Sequence, residues 1–262
     1  MKVIHLSDTH ILNDNSKLFR IDEASTLELA LNSIQKNHKD LDFIVITGDL
    51  TNSGKSKAYL KLKKILDKYS FPIHLILGNH DKKSYFNRYF DICKKEKFVQ
   101  YTIKSNAKVF IFLDTSVKNE HYGALCKDRL LFLKNELLKY KNKKVYVFMH
   151  HFPINSKLKW MEKHSSFSNK KEFWDIILKH NNVQHIFTGH LHRVINANYK
   201  GVGISCAGST NYQVAYTPNS VKDYLNQDIK PSYDIIDISS SSILIHHHDF
   251  LNEEKIFVYK DR

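Results

Sequence analysis

The chain contains few cysteines, glycines and prolines. Its 262 residues include 3 cysteines, 8 glycines and 4 prolines. Cys93, Cys126 and Cys206 are odd in number and form no Cys-x-x-Cys motif, so we expect neither a disulfide framework nor a thiolate zinc site. Because no glycine- or proline-rich linker divides the chain, we predict a single domain over residues 1–262. The widely spaced cysteines favour a reducing, cytoplasmic location.

Long hydrophobic runs are also absent. The longest, such as residues 109–113 and 145–149, fall far short of the roughly 20 residues that a membrane-spanning helix needs. We therefore predict no membrane span. Polar residues such as Ser7 and Asp8 interrupt the apolar amino-terminal stretch, and we expect no secretory signal there. A hydrophobic fraction of 42% excludes disorder as the overall state.

Positive charge predominates, with a formal net charge of +13. A basic protein can attract nucleic acid or another polyanion. However, the lysines are scattered along predicted helices, as at Lys57, Lys61 and Lys64, and no aromatic residues interleave with a single basic stripe. This distribution favours a lysine-rich solvated surface, with nucleic acid as the less favoured partner.

Short apolar runs alternate with segments of helical periodicity, which predicts an α/β layered fold. Strands are predicted at residues 3–7, 43–47, 73–77, 109–113, 145–149 and 184–188. Helices are predicted at residues 22–36, 57–69, 127–140 and 170–180. From about residue 194 only strands follow, at 194–198, 202–207, 233–239, 243–249 and 256–259, and we expect them to complete the second sheet. Residues 155–169 and 211–231 are predicted to be loops over a site.

Ligand-type side chains follow five of these strands. The strand ends read Ser7-Asp8-Thr9-His10, Gly48-Asp49-Leu50, Gly78-Asn79-His80-Asp81, His150-His151 and Gly189-His190-Leu191-His192. Any one of them has a structural explanation, because Asp after Gly is a common turn residue and an isolated His is more often structural than a ligand. The carboxyl ends of strands in an α/β sheet converge on one crevice, so the five together predict one site.

The residue types indicate a metal centre. Imidazole and carboxylate ligands without thiolate suit Mn, Fe or Zn. Because the ligands outnumber those that one ion can take, we predict two divalent ions that share a carboxylate. The glycines that precede Asp49, Asn79 and His190 make it easier for the backbone to reverse close to the site.

The ordered motifs resemble those of the calcineurin-like metallophosphoesterase superfamily from the amino terminus to about residue 192. They are Asp8-x-His10, Gly48-Asp49, Gly78-Asn79-His80-Asp81, His150 and Gly189-His190-x-His192. The extension Gly48-Asp49-Leu50-Thr51-x-x-Gly54 and the His-x-Pro at residues 151–153 are most similar to the class III cyclic-nucleotide phosphodiesterases and the glycerophosphodiesterases. The resemblance implies a four-layer sandwich of two mixed β-sheets flanked by helices. It also implies hydrolysis of a phosphodiester, either a cyclic nucleotide or another small diester.

The same resemblance implies a role for each motif residue. One metal would be bound by Asp8, His10, Asp49 and His192, and the second by Asp49, Asn79, His150 and His190, with Asp49 as the bridge. His80 would face the scissile phosphate, and Asp81 would orient its ring. Two ions roughly 4 Å apart can clamp phosphate oxygens and turn a bridging water into hydroxide at neutral pH. An imidazolium can then protonate the departing alkoxide.

His150 and His151 compete for the position after the fifth strand. Side chains alternate along a strand, so only one of the two can point into the site directly. The resemblance places the ligand at the first of the pair, and we therefore expect His150 to bind metal and His151 to lie behind it or in the pocket wall.

Departures from the superfamily patterns narrow the function. The protein phosphatases carry Asp-Arg-Gly after the bridging Asp and Glu after the Asn-His pair, whereas this chain has Asn52-Ser53-Gly54 and Asp81. Purple acid phosphatases place a Tyr ligand where Asn52 stands. A nuclease or a phosphomonoesterase of the same superfamily stays open as an alternative. A noncatalytic binding scaffold is the alternative of another class, although the intact ligand set and His80 argue against it.

Overall fold

Thirteen strands and six helices are found in the part of the chain that the computed structural model describes, residues 1–14, 16–18, 22–105, 107–219, 226–227 and 229–252. The strands are β1 (Lys2–Leu6), β2 (Phe43–Thr47), β3 (Ile73–Ile76), β4 (Tyr101–Ser105), β5 (Lys108–Leu113), β6 (Lys144–Met149), β7 (Val183–Thr188), β8 (Ile195–Tyr199), β9 (Val202–Cys206), β10 (Gln213–Val214), β11 (Asn226–Gln227), β12 (Tyr233–Ile238) and β13 (Ile243–His248). The helices are α1 (Glu23–Asn37), α2 (Ser56–Leu66), α3 (Lys83–Phe86), α4 (Lys127–Lys139), α5 (Lys159–His164) and α6 (Lys170–Ile177).

Two mixed sheets form the centre of the fold. The first has the strand order β13-β12-β1-β2-β3, in which β1, β2 and β3 are parallel. The second has the order β4-β5-β6-β7-β9-β8, in which β5, β6, β7 and β9 are parallel. Antiparallel strands complete both sheets, and β10 pairs with β11 in a separate ribbon.

An apolar layer joins the two sheets face to face. It includes Val45 and Ile236 from the first sheet and Phe110, Phe148 and Phe187 from the second. On the outer faces, the apolar sides of α1 and α2 pack against the first sheet, and those of α4 and α6 pack against the second. The expected four-layer sandwich of two mixed sheets flanked by helices is confirmed.

Local sequence explains where the elements begin. The Asp22 carboxylate accepts a hydrogen bond from the Ser25 backbone N–H at 3.1 Å, which caps the first turn of α1. Leu27, Leu31 and Ile34 are buried at the i, i+4, i+7 spacing of one helix face. All five residues of β2 are buried, as expected of a parallel strand that is covered on both faces.

Several sequence predictions require correction. The strands after residue 194 do not all complete the second sheet, because β8 and β9 join it whereas β12 and β13 extend the first. Residues 155–169, predicted as a loop, contain α5, which is too short to show a helical period. The edge strand β4 and the helix α3 were not predicted. The strand predicted at 256–259 lies outside the described residues.

No helix in the described part of the chain is both long enough and apolar enough to cross a membrane.

Candidate metal centre

The carboxyl ends of parallel strands from both sheets meet at one edge of the sandwich. Asp8 follows β1, and its carboxylate accepts a hydrogen bond from the backbone N–H of His190, which follows β7 of the other sheet, at 2.9 Å. The His150 ring, after β6, donates through Nδ1 to the Thr47 carbonyl of β2 at 2.7 Å. These bonds across the sheets bring four of the predicted motif segments together, and the His80 backbone N–H, which donates to Asp49 Oδ1 at 2.8 Å, adds the fifth.

The backbone at this edge is strained. Nine non-glycine residues of the described part have positive φ, and five of them are predicted metal ligands: Asp8 (56°), His10 (44°), Asp49 (46°), His190 (71°) and His192 (47°). A left-handed residue with a Cβ costs roughly 1–2 kcal/mol. Such strain concentrates where surrounding structure holds a functional geometry.

Two glycines permit the close approach of these segments. A Cβ on Gly78 would collide with the carboxylate and the amide of Asp49, and a Cβ on Gly189 would collide with Ser7 Oγ. Both glycines precede predicted ligands, in agreement with the sequence prediction that the backbone comes close here.

The first ligand group contains Asp8, His10, Asp49 and His192, all buried, with one ligand atom of each within 4.8 Å of all the others. His192 Nε2 lies 3.4 Å from Asp8 Oδ1 and 3.0 Å from His10 Nε2. Asp8 Oδ1 is buried and has no hydrogen-bond donor among the described residues. A buried carboxylate oxygen without a donor needs another positive partner, and this arrangement fits a cation.

Asp49 lies between this group and a second one. Its Oδ2 is 3.7 Å from His10 Nε2 and 3.4 Å from His150 Nε2. His150 Nε2 in turn lies 3.1 Å from Asn79 Oδ1 and 3.2 Å from His190 Nδ1. One carboxylate therefore faces both groups of donor atoms.

Hydrogen bonds assign the proton on each ring of these two groups. The contacts are His10 Nδ1 to Asn52 Oδ1 (3.2 Å), His150 Nδ1 to Thr47 O (2.7 Å), His190 Nε2 to Ser165 O (2.7 Å) and His192 Nδ1 to Tyr212 O (3.0 Å). A carbonyl oxygen only accepts, so each of these nitrogens donates. The other nitrogen of a neutral ring carries a lone pair, and in all four rings it faces the cluster. Metal-binding histidines are oriented in this way.

His151 also lies within ligand distance of His150 and His190, but both of its ring nitrogens are occupied. Its Nε2 donates to the His121 carbonyl at 3.2 Å. Its Nδ1 lies 2.8 Å from Thr115 Oγ1 and accepts the hydroxyl proton, because a neutral imidazole has one donor. No lone pair of His151 is left for a metal, and that His150 is the ligand stays a prediction.

His80 and Asp81 stand apart from the two ligand groups. The His80 ring is about 30% exposed, with Nε2 4.0 Å from Asp49 Oδ2, and its Nδ1 donates to the Asn52 carbonyl at 2.7 Å. Asp81 instead accepts hydrogen bonds from Leu50 N, Thr51 N, Gly78 N and Tyr59 Oη. The resemblance implied that Asp81 orients the His80 ring, whereas the Asn52 carbonyl does so and Asp81 holds the surrounding backbone.

Burial and neighbouring charged groups shift the pKa values of several site residues. Burial lowers the pKa of His10 and of His190 to about 3, so both are neutral at pH 7, as a metal ligand must be. His150 differs: burial favours its neutral form, but the Asp49 and Asp8 carboxylates and the Thr47 carbonyl together outweigh burial and raise the pKa to about 9. Burial, together with the Asp49 charge, raises the pKa of Asp81 to about 6.

A cavity of about 450 Å³ opens over the cluster. Beside Asp49, Asn79, His80, His190 and His192, it is lined by His121, Trp160, Met161, His164, Ser165 and Tyr212. The sequence predicted the first five residues as site residues. Of the wall, Trp160, Met161, His164, Ser165 and Tyr212 lie in the segments 155–169 and 211–231, which the sequence predicted as loops over a site. Only His121 lies outside the predicted segments.

The fold and the cluster define a class of hydrolases that act on phosphoric esters. Residues 1–194 match the family model described as calcineurin-like phosphoesterase. The chain belongs to this family.

Curated relatives agree with this assignment, and a solved structure shares the fold. The chain is 29% identical over 266 residues to a probable cyclic nucleotide phosphodiesterase of Rhodopseudomonas palustris, covering 100% of this chain and 97% of that protein. It is 29% identical over 219 residues to a probable glycerophosphodiester phosphodiesterase of Arcobacter nitrofigilis, covering 82% of this chain and 80% of that protein. A dimetal phosphatase from Danio rerio has the same fold, with a TM-score of 0.73 at 13% identity over 95% of this chain and 96% of that one.

Proposed function

We propose that the protein is a binuclear metal-dependent phosphodiesterase that hydrolyses a small diester, such as a cyclic nucleotide. The observation that carries the proposal is the position of the Asp49 carboxylate. It faces His10 on one side and His150 on the other, and in both rings the nitrogen that faces it, Nε2, is the one that is not bonded to Asn52 or Thr47. A single carboxylate between two groups of ligand-type side chains suits two cations better than one.

We assign the ligands from these contacts. Asp8, His10, Asp49 and His192 hold one ion, and Asp49, Asn79, His150 and His190 hold the other. The donor set, which has imidazole, carboxylate and amide groups and no thiolate, fits Mn, Fe or Zn. The unpaired Asp8 Oδ1 supports a cation at the first position. The three cysteines are free thiols, which is consistent with the cytoplasmic location that we propose.

Two divalent ions held there would polarise the phosphoryl oxygens and supply hydroxide as the nucleophile. The chain's own residues provide the remaining steps. His80 Nδ1–H is held by the Asn52 carbonyl, which directs Nε2 to the cavity. From that position a protonated His80 can contact the phosphate and give its proton to the departing alkoxide. Asp81 keeps the Asn79–His80 loop in place through Gly78 N.

The diester preference rests on the names of the relatives, a probable cyclic nucleotide phosphodiesterase and a probable glycerophosphodiester phosphodiesterase. A nuclease is the second candidate, and the net charge of +13 favours it, because a polyanion is attracted to a basic surface.

The test uses metal-stripped protein that is reconstituted with Mn or Zn. Bis(p-nitrophenyl) phosphate, 3′,5′-cyclic AMP, a glycerophosphodiester, p-nitrophenyl phosphate and single-stranded DNA are compared by kcat/KM. We expect activity to return with metal and to be highest on a small diester. A preference for the monoester would reject the diester assignment, and a preference for DNA would favour the nuclease. No turnover with any substrate at full metal loading would favour the noncatalytic scaffold.

A further inference from the structure

A second and larger cavity lies next to the catalytic one. Its volume is about 700 Å³, compared with about 450 Å³ over the metal cluster. It is lined by Asn155, Lys157, Lys159, Glu162, Lys163, Tyr216 and Pro218, and we call it the lysine cavity. None of its residues is a predicted metal ligand or catalytic residue, although all of them lie in the two segments that were predicted as loops over a site.

The helix α5 separates the two cavities. Trp160, Met161 and His164 line the catalytic cavity, whereas Lys159 and Lys163 line the lysine cavity. Residues four apart lie on the same helix face, so the helix presents one side to each cavity. An α-helix with its side chains is about 10 Å across, and an extended ligand lying over α5 can therefore occupy both cavities.

The charge of the lysine cavity is positive. In the described part of the chain, no carboxylate oxygen lies within 4.0 Å of the Nζ atom of Lys157, Lys159 or Lys163. The carboxylate in the wall, Glu162, is already engaged: it accepts hydrogen bonds from Ser156 N and Oγ and pairs with Lys170 Nζ at 3.0 Å. Three cations thus face the cavity, and none of the described residues contributes a carboxylate that is free to neutralise them.

A further cation lies behind the Tyr216 side of the lysine cavity, although it is not among the lining residues. The Arg193 guanidinium lies over the Tyr216 ring, 5.4 Å from its centroid, and Tyr216 lines the lysine cavity. Arg193 directly follows the predicted ligand His192. The positive region therefore extends towards the metal cluster along the same segment.

We propose that the lysine cavity is an anion subsite that binds a second phosphate of the substrate while the scissile diester lies at the metal cluster. The substrate class is then a diester with an additional phosphate group beyond the one that is cleaved. The inference rests on the proposed diesterase function and extends it. A second phosphate matches the unpaired lysines, whereas a neutral glycerol or sugar would leave them unused.

The test compares two substrates that differ in one phosphate. Thymidylyl-thymidine (TpT) and its 5′-phosphorylated form (pTpT) are assayed by chromatography with the metal-loaded protein. We expect the extra phosphate to raise kcat/KM about tenfold, mainly through KM, because a few exposed Lys–phosphate pairs contribute modest energies that add. High salt should remove most of the gain. In the double variant Lys159→Ala/Lys163→Ala the pTpT:TpT ratio should fall towards unity.

A matched control keeps the overall charge change the same. Lys134→Ala/Lys141→Ala removes two exposed lysines on and after α4, and it should retain the wild-type ratio. If both double variants lower the ratio equally, general electrostatic attraction explains it and the subsite is rejected. A ratio of unity in the wild type also rejects it. Free inorganic phosphate that activates TpT cleavage would show that the cavity takes a separate anion, contrary to the proposal.

Two further measurements separate this inference from the proposed function. Failure to hydrolyse bis(p-nitrophenyl) phosphate would reject the diesterase itself. Calorimetric binding of pTpT and TpT to the metal-stripped protein then decides the subsite without turnover, since the lysine cavity contains no predicted metal ligand. Equal affinity for the two ligands would reject the subsite, and tighter binding of pTpT that is lost in Lys159→Ala/Lys163→Ala would support it.

Discussion

The carboxylate of Asp8 accepts the backbone N–H of His190 at 2.9 Å, although the two residues are 182 positions apart. One follows a strand of the first sheet and the other follows a strand of the second. Ser209 Oγ also donates to the Asp8 carbonyl at 2.8 Å. The candidate metal centre therefore forms only when the two sheets are docked, because its residues come from both.

Asp49 should be the most sensitive ligand position. Asp49→Asn keeps the size of the side chain but removes the charge that both groups face, so repulsion between two cations is no longer offset. We expect the metal content of reconstituted protein to fall from two ions per chain to one or fewer, with loss of activity. Elemental analysis measures the content. Two tightly bound ions and normal turnover in this variant would contradict the bridging assignment.

The Asn52 side chain should increase metal affinity because it holds the His10 ring in position. Asn52→Ala removes the Oδ1 acceptor of the His10 Nδ1–H but leaves the backbone carbonyl that orients His80. Loss of such a supporting hydrogen bond typically weakens metal affinity about 10- to 100-fold. Titration of metal-free protein with Mn measures the change. Asn52→Asp, which retains an acceptor, should restore the affinity, and failure to do so would indicate a packing role.

The adjacent histidines His150 and His151 should differ in metal binding. His150→Gln removes an inward lone pair, so one ion per chain should be lost. His151→Gln keeps a donor for the His121 carbonyl and should retain both ions. Elemental analysis of the two folded variants distinguishes them. Loss of an ion from His151→Gln alone would reverse the assignment.

Part of this site was predictable from the sequence because aspartate and histidine residues follow short apolar runs. Asp8, Asp49 and His190 each lie two residues after the end of a strand, and parallel strands of a layered α/β fold present their carboxyl ends at one edge. Family resemblance then separated His80 from the ligands. The motif residues are therefore predictable from the sequence alone.

The partners of these residues could not be predicted in the same way. The rings of His190 and His192 are oriented by the carbonyls of Ser165 and Tyr212, and every residue offers a backbone carbonyl. The six residues of α5 cannot display a helical period, although they form the wall between the two cavities. Tertiary packing, and not local pattern, also decides that β12 pairs with β1.

Acid should destabilise the metal-free protein through His5, which is buried between the sheets. Burial lowers the pKa of His5 from 6.5 to about 4, so the unfolded chain binds more protons between these pH values. The contribution is complete above pH 6.5 and is lost as the pH falls to 4, by about 3 kcal/mol of unfolding free energy.

Urea unfolding of metal-free protein at pH 7 and pH 4.5 measures this loss. His5→Phe is the test variant, because its ring would lie beside Phe148 and Phe187, which contact His5 now. We expect a smaller loss of stability on acidification in His5→Phe than in the wild type. Equal losses would mean that other groups account for the acid sensitivity.

Replacement of His80 should reduce catalysis without loss of metal ions. His80→Ala removes a ring that lies in the cavity outside both ligand groups, so two ions should remain while turnover falls by about 10²- to 10⁴-fold, the range for loss of a general acid. The fall should depend on the leaving group. TpT, which releases a thymidine alkoxide, needs the proton and should be affected most, whereas thymidine 5′-(p-nitrophenyl) phosphate releases p-nitrophenolate readily and should be affected least.

The control is His246→Ala, which replaces an exposed histidine on β13 and should leave both rates unchanged. Equal losses for both substrates would indicate that His80 contacts the phosphate without transferring a proton, and unchanged rates would leave it only a packing role.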